Sequence, residues 1–160
     1  MSYPAVTLPG MVLSLLLTAH LGLAAMWCGS MGYSLLVVQP KLARAGLGDD
    51  QLEELLTLLA QGNRWKVVPI VAALLATAAV ILTLTGSAVF IAVLLLYCAA
   101  AAVFADVSWR HWPTRVFALP AERPGLRRAL RLRAWTMLVL VGAAFTTALW
   151  TSAWAWAGAS

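Results

Sequence analysis

The sequence predicts an all-α fold: an integral membrane four-helix bundle, both termini outside, with a short amphipathic interfacial helix in the first cytoplasmic linker. Three observations carry this expectation. The 160 residues are 62% hydrophobic and 11% charged, against about 45–50% and about 25% for a soluble domain. Four uncharged apolar stretches approach or exceed the roughly 20 residues that a membrane helix needs. All 11 Lys and Arg residues fall in two of the segments between them. The length suits one domain, 1–160. A single soluble core could not hide this much apolar surface, which excludes an ordinary soluble enzyme. The same composition excludes a disordered chain.

The spans are read at about 11–38, 67–84, 88–105 and 134–156. Each is too long for a strand, and none alternates as a membrane β-strand does. Backbone groups in lipid must be satisfied within the segment, which makes these spans helices. Met1 to Gly10 holds no Lys or Arg, and the apolar run behind it exceeds a signal peptide's core. The first span is therefore read as a retained helix. Thr85-Gly86-Ser87 is a tight turn between spans two and three.

The linkers are 39–66 and 106–133. The first holds Lys41, Arg44, Arg64 and Lys66; the second holds Arg110, Arg115, Arg123, Arg127, Arg128, Arg131 and Arg133. By the positive-inside rule both are cytoplasmic and both termini extracytoplasmic, in a cell (inner or plasma) membrane. The net charge of +5 thus reports orientation, not nucleic-acid binding. In the first linker, Asp50 reads as a helix N-cap with Glu53 as its capping-box partner. Leu52, Leu55, Leu56 and Leu59 form one apolar stripe, and Gly62 is the stop. Its acidic start argues against binding anionic lipid. The second linker is interrupted at Pro113, Pro120 and Pro124. Trp65, Trp109, Trp112 and Trp135 mark the inner interface; Trp150, Trp154 and Trp156 mark the outer one.

An ionisable residue inside a span is a functional candidate, and only His20 lies deep, about 15 Å from the outer end of its helix. Thr77, Thr146 and Thr147 sit at similar depth and could simply hydrogen-bond it. At about 100° per residue, Trp27, Met31 and Ser34 share its face, while Thr18, Gly22, Ala25, Gly29 and Gly32 lie opposite. Small residues let helices approach closely. Gly22, Ala25, Gly29 and Gly32 are therefore the expected contact surface of a homo-oligomer or a larger membrane complex. Cys28 and Cys98 lie within apolar runs and read first as small core residues.

The candidate cofactor site is His20, Trp27, Met31, Tyr97 and Cys98, with His20 as ligand or proton acceptor. Copper would need soft donors, and His20 and Met31 are too far apart along one helix to share an ion, leaving Cys98 as the best partner. Haem would have His20 as sole histidine ligand, because His111 lies at the inner interface. A second cluster, Lys66, Arg110 and His111, is a candidate headgroup or anion site. Helix pairing predicts that Lys66 and Asp106 end close together. No nucleophile triad, paired carboxylates, P-loop or HExxH occurs.

His20, Trp27 and Gly29, followed by an apolar run and Pro40, form an H-x6-W-x-G pattern. It resembles the first helix of small bacterial four-helix membrane families: copper-resistance-D-like, transmembrane-protein-205-like and anthrone-oxygenase-like proteins. More loosely it is similar to bacterial membrane protoporphyrinogen oxidase, whose matching histidine binds haem and which has a tyrosine where Tyr33 stands. That family has an arginine soon after the tyrosine and a second histidine in its third span; here stand Leu36 and Val37, then Tyr97 and Cys98. The resemblance implies metal handling, or oxygenation of a polycyclic phenol. Three functions are therefore carried forward: a redox, oxygenase-type or cofactor-binding protein centred on His20; a non-catalytic accessory or assembly subunit; and a small oligomeric transporter.

Overall fold

The computed structural model describes residues 8–60 and 62–157. Every regular element among them is helical: α1 (Leu8–Tyr33), α2 (Gln39–Arg44), α3 (Asp49–Ala60), α4 (Asn63–Thr85), α5 (Ala88–Ala105), α6 (Trp112–Val116) and α7 (Arg123–Ala157). Four helical runs are long and apolar enough to cross a membrane. α1 packs on α4 and α7, and α5 packs on the same two. The bundle is thus a square with α1 and α5 on one diagonal.

Core positions recur at intervals of three and four. They are Leu17, His20, Ala24 and Trp27 on α1; Val71, Leu74, Ala78 and Ile81 on α4; Phe90, Val93, Tyr97 and Ala100 on α5; Met137, Val141, Ala144 and Ala148 on α7. This alternation keeps one seam of each helix facing its neighbours, as in left-handed bundles. Alanines on all four helices allow close approach. The opposite faces are equally apolar. Leu15, Leu95 and Val139 are 68, 64 and 65% exposed, a distribution that water would penalise and hydrocarbon would not.

α4 and α5 meet at Gly86, whose φ of 61° is left-handed and whose N–H donates to the carbonyl of Leu82 at 2.8 Å. A side chain there costs roughly 1–2 kcal/mol. Gly86→Ala is expected to lower stability by that amount, read from thermal unfolding in detergent.

Spans one and three end alike. Gln39 N–H reaches back to the carbonyl of Ser34, and Trp112 N–H to that of Val107. Each bond spans five residues, so Ser34–Val38 and Asp106–His111 are π-helical turns. The next residue in each case is proline, Pro40 or Pro113. Proline lacks an N–H and its ring collides with the carbonyl four residues back; the wider turn relieves both problems. The chain therefore stays helical through Arg44, past the expected span end at Val38. Likewise Pro113 does not break the helix it enters, because the π turn absorbs it, and Pro124 sits in the first turn of α7, where the missing N–H costs nothing. α7 has 35 residues, roughly 50 Å, so its arginine-rich start projects beyond any hydrocarbon layer.

α3 closes the basic end. Its start differs from the expected capping box. The helix begins at Asp49, the carbonyl of Gly48 accepts from Leu52 N–H at 2.9 Å, and the Gly48 N–H donates to Gln51 Oε1 at 3.3 Å. Gly48 and Gln51 thus fill the positions expected of Asp50 and Glu53. The carboxylates bind arginines instead: Glu53 with Arg115 at 2.7 Å, Asp50 with Arg123 at 2.7 Å, and Asp49 with Arg127 at 3.1 Å. Leu52, Leu55 and Leu56 are half-buried, but Leu59 is exposed, so the predicted stripe is shorter by one residue.

Candidate functional site

The predicted residues divide between two places. The first is the centre of the square. His20 and Tyr97 are fully buried and meet across the α1–α5 diagonal, ring centroids 5.5 Å apart and nearly perpendicular. Phe90 approaches the imidazole edge-on at 6.2 Å. His20 Nδ1 lies 2.8 Å from Thr77 Oγ1, one of the three threonines expected to reach it. The single hydroxyl proton of Thr77 is directed at the carbonyls of Ala73 and Leu74, at 2.8 and 3.1 Å. The network therefore assigns Nδ1–H as donor to the Thr77 oxygen and leaves a lone pair on Nε2. His20 Nε2 and Tyr97 Oη have no protein partner.

The second place lies about two turns, roughly 10 Å, further along α1. A half-open cavity of about 540 Å3 lies between the helices at the basic end of the bundle, within the range of about 300–1,000 Å3 typical of ligand sites. Trp27, Met31, Phe104 and Met137 give it an apolar body. Ser34, Gln39, Arg64 and Ser108 supply its polar groups. Both π turns line it, through Ser34 on one side and Val107 and Ser108 on the other. Widened turns of this kind often mark functional sites, and here they hold two serines towards one chamber. Thr57 of α3 lines it as well.

The cofactor set is thus not assembled as one site. His20 and Tyr97 sit in the sealed core, Trp27 and Met31 line the chamber, and Cys98 is exposed. Copper does not fit. Cys98 faces away from His20, Cys28 Sγ lies beside Gly142, and no three His, Cys, Asp or Glu side chains converge among the described residues. Haem does not fit at His20 either, because the Phe90 and Tyr97 rings pack against the imidazole and the chamber wall begins only at Trp27.

The expected anion cluster is Lys66, Arg110 and His111. Lys66 and Arg110 are exposed, whereas His111 is buried. Asp106 pairs with Arg133 at 2.8 Å, not with Lys66. The His111 Nε2–H donates to the carbonyl of Leu126 at 3.2 Å, which leaves Nδ1 facing the Arg133 guanidinium at 3.4 Å. His111 therefore locks the second π turn to α7. Gly22, Ala25 and Gly29 lie on the outer face, and a Cβ at Gly22, Gly29 or Gly32 would touch nothing within 4 Å. Trp65, Trp109, Trp135 and Trp150 are exposed, as interface residues would be; the side chains of Trp154 and Trp156 lie outside those described.

Sequence reasoning misses Gln39 and Met137, and it places Arg64, Ser108 and Trp112 at the inner surface without joining them to Trp27 and Met31. One signal was present: a proline placed just beyond a serine-bearing turn at the basic ends of spans one and three. Comparison of the chain with known families, curated proteins and solved structures found no match.

Proposed function

We propose that this chain is a non-catalytic, multi-pass membrane protein that holds a lipid-soluble molecule in the chamber beneath its bundle. The observation that carries this reading is the chamber itself: about 540 Å3, apolar in its body and polar at the basic end. Its membrane is the cell membrane, with α3 and the chamber on the cytoplasmic side and both termini outside, since all 11 basic residues lie in the two linkers at that end.

The test is saturable binding of 9,10-dibromostearyl alcohol to the detergent-purified chain, read as quenching of tryptophan. Trp27 and Trp112 line the chamber. Ala134 also lines it, so Ala134→Leu is expected to weaken binding about tenfold by filling the space. Unchanged binding in that variant would overturn the reading.

The oxidoreductase reading draws support from one feature, the unpartnered Nε2 of His20 beside Tyr97. A Soret band in the purified protein that His20→Ala abolishes would favour it over the binding reading. The outward glycine face supports an accessory role, in which α1 contacts another membrane helix. Gly29→Leu is then expected to leave monomer stability unchanged and to abolish self- or partner association, measured by light scattering and co-purification.

A further inference from the structure

A smaller cavity of about 90 Å3 lies beside the chamber and shares the walls Gln39 and Leu130 with it. Its other walls come from α2, α3, α6 and α7, and Arg115, Arg127, Arg131 and Gln39 are its polar residues. Three arginines thus border one small space that shares two walls with the apolar chamber. They are not equally committed. Arg115 is buried and held by Glu53 through Nε and Nη2, at 3.0 and 2.7 Å. Arg127 reaches the exposed Asp49 at 3.1 Å, a weak pair, and also stands 3.4 Å from the second oxygen of Glu53. Arg131 is exposed at the rim of the space and has no carboxylate partner among the described residues.

We propose that this annex binds the anionic headgroup, a phosphate or similar oxyanion, of a single-chain amphiphile whose apolar chain lies in the adjoining chamber. The inference rests on the chamber reading above and adds the chemical class of its ligand. Arg131 and Arg127 supply charge-assisted hydrogen bonds to the oxyanion, and the Gln39 amide adds a neutral donor. Trp27, Met31, Phe104 and Met137 contact the chain. A neutral chain of equal length fills the chamber but leaves the annex guanidinium groups without an anion.

The experiment is displacement of 9,10-dibromostearyl alcohol from the full chain in an uncharged detergent, by hexadecyl phosphate, hexadecanol or inorganic phosphate. Hexadecyl phosphate is expected to displace the probe at about one-tenth the concentration of hexadecanol. Inorganic phosphate is expected to displace none. Arg131→Gln should bring hexadecyl phosphate and hexadecanol to similar potency. Equal potency on the parent chain, or a preference unchanged in Arg131→Gln, overturns the headgroup assignment while the chamber reading stands. Displacement by inorganic phosphate alone marks a free-anion site and also overturns it. If Ala134→Leu leaves probe binding unchanged, the chamber reading fails and the headgroup assignment with it.

Discussion

Arg115→Ala is expected to destabilise the basic end by about 3–5 kcal/mol. The Arg115 side chain is 4% exposed and that of Glu53 15%, so truncation strands a buried carboxylate without its main partner. Arg127 stands 3.4 Å from the other oxygen of Glu53, too long a contact to replace two short guanidinium bonds. The loss extends to packing, because the guanidinium also lies 5.2 Å from the Trp112 ring centroid. α3 holds to α6 and α7 through its ion pairs, so it should release as a unit. Hydrogen exchange across 49–60 should rise sharply while the spans stay protected. A paired replacement, Arg115→Met with Glu53→Leu, should recover most of the loss, since apolar residues of similar size commonly replace buried ion pairs without cost. No recovery would mean that a contact other than this pair holds α3.

His20→Ala and His20→Leu are expected to act in opposite directions. Alanine removes the imidazole from the centre of the square and leaves a cavity against Phe90 and Tyr97, at a cost of about 2–4 kcal/mol. Leucine fills a similar volume. It also removes the unpartnered Nε2, and it leaves no new orphan, because the Thr77 hydroxyl still donates to Ala73 and Leu74. Replacing an unsatisfied buried polar group by an apolar one is neutral or favourable, by roughly 1–2 kcal/mol. His20→Leu should therefore unfold at the same temperature as the parent or above it. Tyr97→Phe should behave likewise, since Tyr97 Oη also lacks a partner. Marked destabilisation by both variants would mean that the two polar atoms are satisfied in the membrane by something other than protein. Loss of a spectroscopic signal without loss of stability would instead restore the cofactor reading.

The spans and their ends were legible to different degrees. The third span starts at Ala88 as expected, because Gly86 breaks the helix before it, but its helical run continues past Asp106 to Arg115. The first and fourth spans extend further than hydropathy suggests, since helix continuity depends on backbone hydrogen bonding and not on side-chain polarity. Arg123 to Arg133 are polar and still helical. Pro40 and Pro113 look like breaks, yet each is absorbed by a π turn. That outcome turns on where the preceding N–H finds its acceptor, which residue type alone does not state.

Lys66 and Asp106 were expected to pair because their helices are hairpin neighbours. Proximity of helix ends does not set side-chain direction, and Asp106 turns to α7 and Arg133. Position along its span puts Cys98 at a depth similar to that of His20, but it follows Tyr97 directly on α5. One residue turns a helix by about 100°, which sends Tyr97 into the core and Cys98 out of it.

By itself the sequence determined the four long apolar helices and the gathering of the basic residues in two linkers, because length, hydropathy and charge are properties of each segment taken alone. It also determined that His20 and the glycines of α1 face opposite ways, since a single helix has a known period. Only the tertiary structure decided which of those faces is buried, that His20 meets Tyr97 across a diagonal, and that two π turns, α3 and three arginines border two neighbouring cavities. Those are relations between helices, governed by rotation and packing, and no single helix contains them.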